Sequence, residues 1–199
     1  MTTNEQFAQF SNWAKKRAEE IEASLRTMQA GLGALSAEAK RQAEHAIVEM
    51  NAQRDAFQRA IKEHSSEGEA ALAKSRTALE ANWASFETTM QKYLAGARQT
   101  AEQQQALFAA RAEAQRKAWQ QSMEAFYQQA GGFALAKRND LDVALGHAKA
   151  EAEAAKSRLD AAAKAGAQSW GAMTAALEES RAAFEKAGKK AMEAFNRAS

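Results

Sequence analysis

The chain reads as an all-α protein: an elongated bundle of about three long antiparallel amphipathic helices with coiled-coil-like packing. Three observations predict this. Its 199 residues include no proline and only 10 glycines. Fifty-two residues are alanine, the strongest helix former. Apolar side chains also recur at alternating spacings of three and four, the period of a helical seam rather than of a strand.

The first helix is expected over about residues 2–64. Thr2 and Glu5 form a capping-box pair at its start, and Ile21, Leu25, Met28, Leu32 and Leu35 carry its stripe. Gly31, Gly33 and Ser36 interrupt it, as a kink or a turn at 31–36; the stripe runs through the interruption and favours a kink. Turn formers at 64–69, with Ser66 and Glu69 as a second capping box, mark a corner. A second helix is then expected over about 66–130, with Leu79, Trp83, Phe86, Met90, Tyr93 and Ala97 on its seam. Paired Gly131 and Gly132 end it, since each costs a helix about 1 kcal/mol relative to alanine. Asn139 or Asp140 is the expected cap of a third helix over about 139–198, whose stripe is Trp170, Met173, Leu177, Phe184 and Phe195. A helix of ~60 residues is ~90 Å long. Residues 1–199 are therefore expected to form one elongated domain, closed on itself or by a second chain. The alanine-rich run 148–167 lets helices approach closely while burying little area per residue, and so depends most on its neighbours.

The composition is more informative about what to exclude. With 27 basic and 25 acidic residues the net charge is +2, too small to steer the chain to nucleic acid. The absence of cysteine removes disulfides, thiolate catalysis and zinc–sulfur sites, and suits a reducing compartment. The first 20 residues lack the apolar core of a secretory signal, and no window approaches the ~18 apolar residues of a membrane span. A cytoplasmic protein is expected, with granule- or membrane-surface association open to it.

No catalytic, cofactor-binding or metal site is predicted. His45, His64 and His147 are far apart, and none has glutamate three residues before it, as a helical di-iron site would require. The glycines at 31 and 33 have neither the third glycine nor the preceding strand of a dinucleotide loop. Carboxylates fall at helical spacing from Lys and Arg, as in Lys15 with Glu19 and Glu185 with Lys189, the pattern of a solvated helix face.

The residues that point beyond folding are aromatic: Phe7, Phe10, Trp13, Trp83, Phe86, Trp119, Phe126, Phe133, Trp170, Phe184 and Phe195. They serve either as seam anchors between alanine layers or as a face adsorbing to a lipid, polymer or other apolar surface, where flanking Lys and Arg snorkel. Phe7, Phe10 and Trp13 followed by Lys15, Lys16 and Arg17 make the best surface patch; Phe184 to Phe195 with Lys186, Lys189 and Lys190 make a second.

The C-terminal stretch SRAAFEKAGKKAMEAFNRA, Ser180 to Ala198, together with the cysteine-free, Ala/Gln/Glu/Lys-rich helical chain around it, resembles the phasins. That resemblance implies a small amphipathic protein coating polyhydroxyalkanoate granules, oligomerising through coiled coil and carrying no catalytic residues. The expected partners are thus further copies of the chain or a helical protein, and a polyester granule or lipid surface. The competing expectation is a coiled-coil adaptor or assembly factor that binds a protein partner and no surface.

Overall fold

A computed structural model describes residues 3–63, 69–96, 101–130, 135–164 and 170–198. For residues 3–9, 69, 95–96, 129–130, 135–140, 195–196 and 198 it describes the backbone alone. The described residues are helical throughout, apart from the short connection between the first two helices, and contain no strand. The helices are α1 (Thr3–Gly31), α2 (Ala37–Glu63), α3 (Glu69–Gly96), α4 (Ala101–Ala130), α5 (Leu135–Lys164) and α6 (Trp170–Ala198), with one turn of 3-10 helix at Leu32–Ala34.

The all-α class is as predicted; the division into three long helices is corrected to six. Residues 31–36 are a true corner rather than a kink. Leu35 is extended, with φ −90° and ψ 148°, so the helical path stops there. Ser36 then opens α2 as predicted for a cap: its Oγ accepts from the Ala39 backbone N–H at 3.4 Å and its carbonyl from Lys40 N–H at 2.8 Å. Leu32 and Leu35, which continue the α1 stripe on paper, end half-buried at the corner. The expected second helix is divided between α3 and α4 and the expected third between α5 and α6. Both extra divisions fall at 97–100 and 165–169, outside the described residues. So do Thr2, Ser66, Gly131–Gly132 and all of the predicted corner at 64–69 except Glu69, which opens α3. The expected helix start at Asn139 or Asp140 is also corrected, since α5 is already helical from Leu135. The physical reason for six helices is the narrowness of the stripe. A 60-residue helix with two apolar positions in seven leaves its seam open along its length, and doubling back lets the chain cover its own seam.

The chain, read from its sequence as one domain, groups into two compact units, Met1–Arg111 and Ala112–Ser199, with the boundary inside α4. In unit 1, α2 runs antiparallel to α1 and α3, and α1 also packs along α3. Polar pairs fix the register: Arg54 Nη1 meets Glu22 Oε2 at 3.2 Å, Gln53 Nε2 donates to Ser85 Oγ at 3.1 Å, and Thr89 Oγ1 to Glu49 Oε2 at 3.0 Å. The buried face is the predicted one: Ile21, Leu25 and Met28 in α1, and Leu79, Trp83, Phe86, Met90 and Tyr93 in α3.

In unit 2, α5 and α6 form the closest-packed helix pair. Six of their buried positions are alanine: Ala148, Ala152 and Ala155 on α5, and Ala187, Ala191 and Ala194 on α6. Side chains of a single methyl allow backbones this near, as the sequence predicted for 148–167. Lys190 Nζ caps the contact on Glu151 Oε1 at 2.6 Å. This hydrogen bond holds the Glu151 carboxyl below the usual carboxylate range, outweighing its partial desolvation, with Lys190, Lys186 and His147 adding attraction. The larger seam residues, Leu141, Leu145 and Leu159 on α5 and Met173, Leu177 and Phe184 on α6, lie toward the ends of the alanine stretch.

Candidate functional site

The α1 stripe has four residues at helical spacing: Phe10, Trp13, Arg17 and Glu20. Phe10 stacks on Trp13 with ring centroids 6.2 Å apart, and Trp13 meets Phe57 of α2 at 6.1 Å. The Arg17 guanidinium lies 4.3 Å from the Trp13 ring centre and 5.5 Å from that of Trp83 on α3, and Arg76 covers Trp13 from α3 at 5.4 Å. A guanidinium seated on the electron-rich face of an indole contributes roughly 0.5–2 kcal/mol. Arg17, expected to snorkel beside a surface patch, thus turns inward to join two tryptophans of the bundle. Trp83 packs on Phe86 at 5.0 Å.

Beside this pair lies the most strongly charged interior feature among the described residues. Arg111, at the unit 1 end of α4, is 0% exposed; Glu20 of α1 and Glu87 of α3 are 2% and 13% exposed. Arg111 Nε donates to Glu20 Oε1 at 2.8 Å. Its Nη1 donates to Glu87 Oε2 at 3.2 Å while Nη2 bonds Glu87 Oε1, a fork-to-fork grip on that carboxylate. The guanidinium also sits 5.4 Å from the Phe86 ring centre and 5.9 Å from that of Trp83. Burial opposes charge on Arg111, but the attraction and hydrogen bonds of Glu20 and Glu87 outweigh it and raise its pKa above the ordinary arginine value. A guanidinium so held cannot give up a proton, and both carboxylates face a permanent cation. The triad joins three helices through planar, bidentate contacts that Arg makes and Lys cannot.

Sequence reasoning missed this triad. The carboxylates as a group read as solvated helix faces, yet a signal was present. Glu20 adjoins Ile21 and Arg111 follows Leu107 and Phe108, so both occupy the apolar stripe of their helices.

Unit 2 has its own aromatic anchor. Trp119 of α4 stacks on Phe184 of α6 at 5.4 Å and 17° between planes, and Gln115 Nε2 donates to the Leu177 carbonyl at 3.2 Å one turn away. A Cβ on Gly188 would stand 3.8 Å from Trp119 Cζ3. Phe126 is buried and Trp170 half-buried. The structure therefore places every aromatic candidate whose side chain is described inside its unit: Phe10, Trp13, Trp83, Phe86, Trp119, Phe126 and Phe184 buried, and Trp170 partly so. Phe7, Phe133 and Phe195 lie outside the described side chains. The described aromatics of the two surface patches, Phe10 and Trp13 of the first and Phe184 of the second, are buried, and Lys189 and Lys190 of the second turn to Glu193 and Glu151.

His45 and His147 are exposed, and His45 Nδ1 stands 3.6 Å from Glu49. Among the described residues no three His, Asp or Glu side chains are grouped to hold a metal ion, and no helix is long and apolar enough to cross a membrane.

No protein-family model, curated protein or solved structure matches the chain.

Proposed function

We propose that the chain is a non-enzymatic coat or scaffold protein. In this reading its amphipathic helices associate with an apolar surface inside the cell, a storage granule or lipid, and self-assemble through coiled-coil seams. One observation supports it above the others: the large aromatic side chains are shut inside their units, and in unit 2 alanine holds six buried positions along the α5–α6 seam. Parting α5 from α6 gives up little area per alanine, while each released Trp or Phe brings 150–250 Å² to a new apolar contact. Bundles built this way exchange an internal seam for an external surface at small net cost, and the exposed Lys and Arg face water in either state. The likeness of residues 180–198 to phasins agrees with this assignment.

The test is co-sedimentation of the purified chain with polyester particles and, separately, with phosphatidylcholine vesicles, following helicity and tryptophan emission. The coat reading expects saturable pelleting with at least one of them, helicity kept and emission changed as the tryptophans leave the bundle. A chain that stays in the supernatant with both overturns it. Burial of the same aromatics in closed units favours a second reading, a helical adaptor that keeps its units shut and binds a protein partner. That reading expects no pelleting, and a melting temperature that rises with concentration or on adding the partner.

A further inference from the structure

Unit 2 carries a groove of about 270 Å³ that the seam does not fill, just below the usual ~300–1,000 Å³ of small-molecule clefts. Its floor is apolar: the stacked Trp119 and Phe184, with Met123 and Ala152, all buried beneath the opening. One wall is a face of α4 and the other a face of α5. The 2.9 Å contact of Arg116 Nη1 with Asp160 Oδ1 sets their antiparallel register at one end. From Arg116 to Tyr127, and from Asp160 back to Lys149, is 11 residues in each helix, so Tyr127 and Lys149 mark the far end, ~16 Å away at ~1.5 Å rise per residue.

The rim charges are unevenly neutralised. At the near end Arg116 is held by Glu113 at 2.7 Å as well as by Asp160. Midway, Lys156 stands 3.8 Å from Glu153, which also lines the groove. At the far end Lys149 has no ion-pair partner among the described residues, and Tyr127 beside it is 46% exposed. The groove thus offers one uncompensated cation, a neighbouring phenol hydroxyl and an aromatic trough leading away from them. A ligand complementary to that arrangement has one negative charge at one end and an unbranched apolar tail.

We infer that unit 2 binds a single-chain alkyl carboxylate, with its headgroup at Lys149 and Tyr127 and its tail along Met123, Ala152 and the Trp119–Phe184 stack. Lys149 supplies a charge-assisted hydrogen bond, the stronger class of such contacts, and the trough supplies the area. The groove belongs to the closed unit and needs no parting of its helices, so it stands or falls separately from the coat reading.

The test is isothermal titration of the full chain with decanoate below its micelle concentration, with the Met123 methyl resonance, assigned through Met123→Leu, reporting location. One decanoate per chain is expected, with the Met123 methyl shifted. Lys149→Glu, at an exposed position, should weaken binding at least tenfold with the circular dichroism unchanged, Lys149→Gln less so, and Lys149→Arg should restore it. Decyltrimethylammonium, with the same tail and opposite charge, should bind at least tenfold more weakly. Overturning results are no saturable uptake, several ligands per chain, equal affinity for the cationic analogue, or affinity indifferent to the charge at 149.

Discussion

Replacing Arg111 by methionine keeps a long side chain in the interior but removes its charge, and the structure sets the size of the effect. In the native triad each Arg–Glu attraction, with charge centres ~4 Å apart and an effective dielectric constant of ~20, amounts to about 4 kcal/mol, so about 8 kcal/mol for two. Taking three ions out of water costs several kcal/mol each, so the intact triad is close to neutral for stability. Arg111→Met deletes the attractions and keeps most of the cost. Glu20, 2% exposed, and Glu87, 13% exposed, then face each other with no cation between them. A loss of about 3–5 kcal/mol follows. With a urea m-value of ~2 kcal/mol/M, the midpoint falls by about 2 M. The defect is pH-dependent. Buried carboxylates without a cation have folded pKa values above their unfolded ones, so the variant recovers stability as pH falls toward the unfolded glutamate value and loses it as pH rises. Urea titrations followed by circular dichroism at pH 4.5 and 7.5 measure both effects. A triple variant, Glu20→Leu with Arg111→Met and Glu87→Leu, should return to within ~2 kcal/mol of the native protein or exceed it. An Arg111→Met protein within 1 kcal/mol of native at pH 7.5, or a triple variant no better than the single, would refute the account.

Ser36→Ala removes the side-chain cap of α2 and should cost about 1 kcal/mol, read from thermal unfolding; an unchanged midpoint would mean that the 3.4 Å contact contributes nothing. Ala155→Leu forces three extra carbons between α5 and α6, where Ala155 is 0% exposed, and should destabilise the protein by about 1–3 kcal/mol; Ala154→Leu on the exposed face is the control and should be near neutral. The Glu151–Lys190 pair is partly exposed and is worth only ~0.2–1 kcal/mol. Because the folded Glu151 pKa is depressed, that contribution is complete above the unfolded glutamate value of ~4.3 and disappears as pH falls through the folded value. Lys190→Met should therefore lower stability at pH 7 and make no difference near pH 2.

The seams were legible because a helix repeats its environment every few residues. Leu79, Trp83, Phe86, Met90 and Tyr93 share a face by spacing alone, and that face is the buried one. Helix breaks were harder to read, because alanine and glutamine sustain a helix on paper wherever no strong signal opposes it. Gly96, followed by Thr100 and Gln103 at capping-box spacing, and Gly166, followed by Ser169, are modest signals that gain force only when doubling back closes a seam. The triad was half legible. A charge in an apolar stripe is visible in one helix, but Glu20 and Arg111 are 91 residues apart, and only the packing of α1 against α3 and α4 joins them. The groove of unit 2 was not legible, since it depends on where two helices fail to touch.

The alanine contact between α5 and α6 also shapes how this protein can change over generations. At Ala148, Ala155, Ala187 and Ala191, all 0% exposed, only glycine is smaller and only serine is near in size, so almost every point substitution adds volume where backbones already meet. Unit 1, with Met, Leu, Phe and Trp in its seam, can trade a loss at one position for a gain at another. Divergent copies of this gene should therefore drift freely across the core of residues 1–111 while keeping small residues along one face of 148–194, and a saturation library sorted for folded protein would show the same asymmetry.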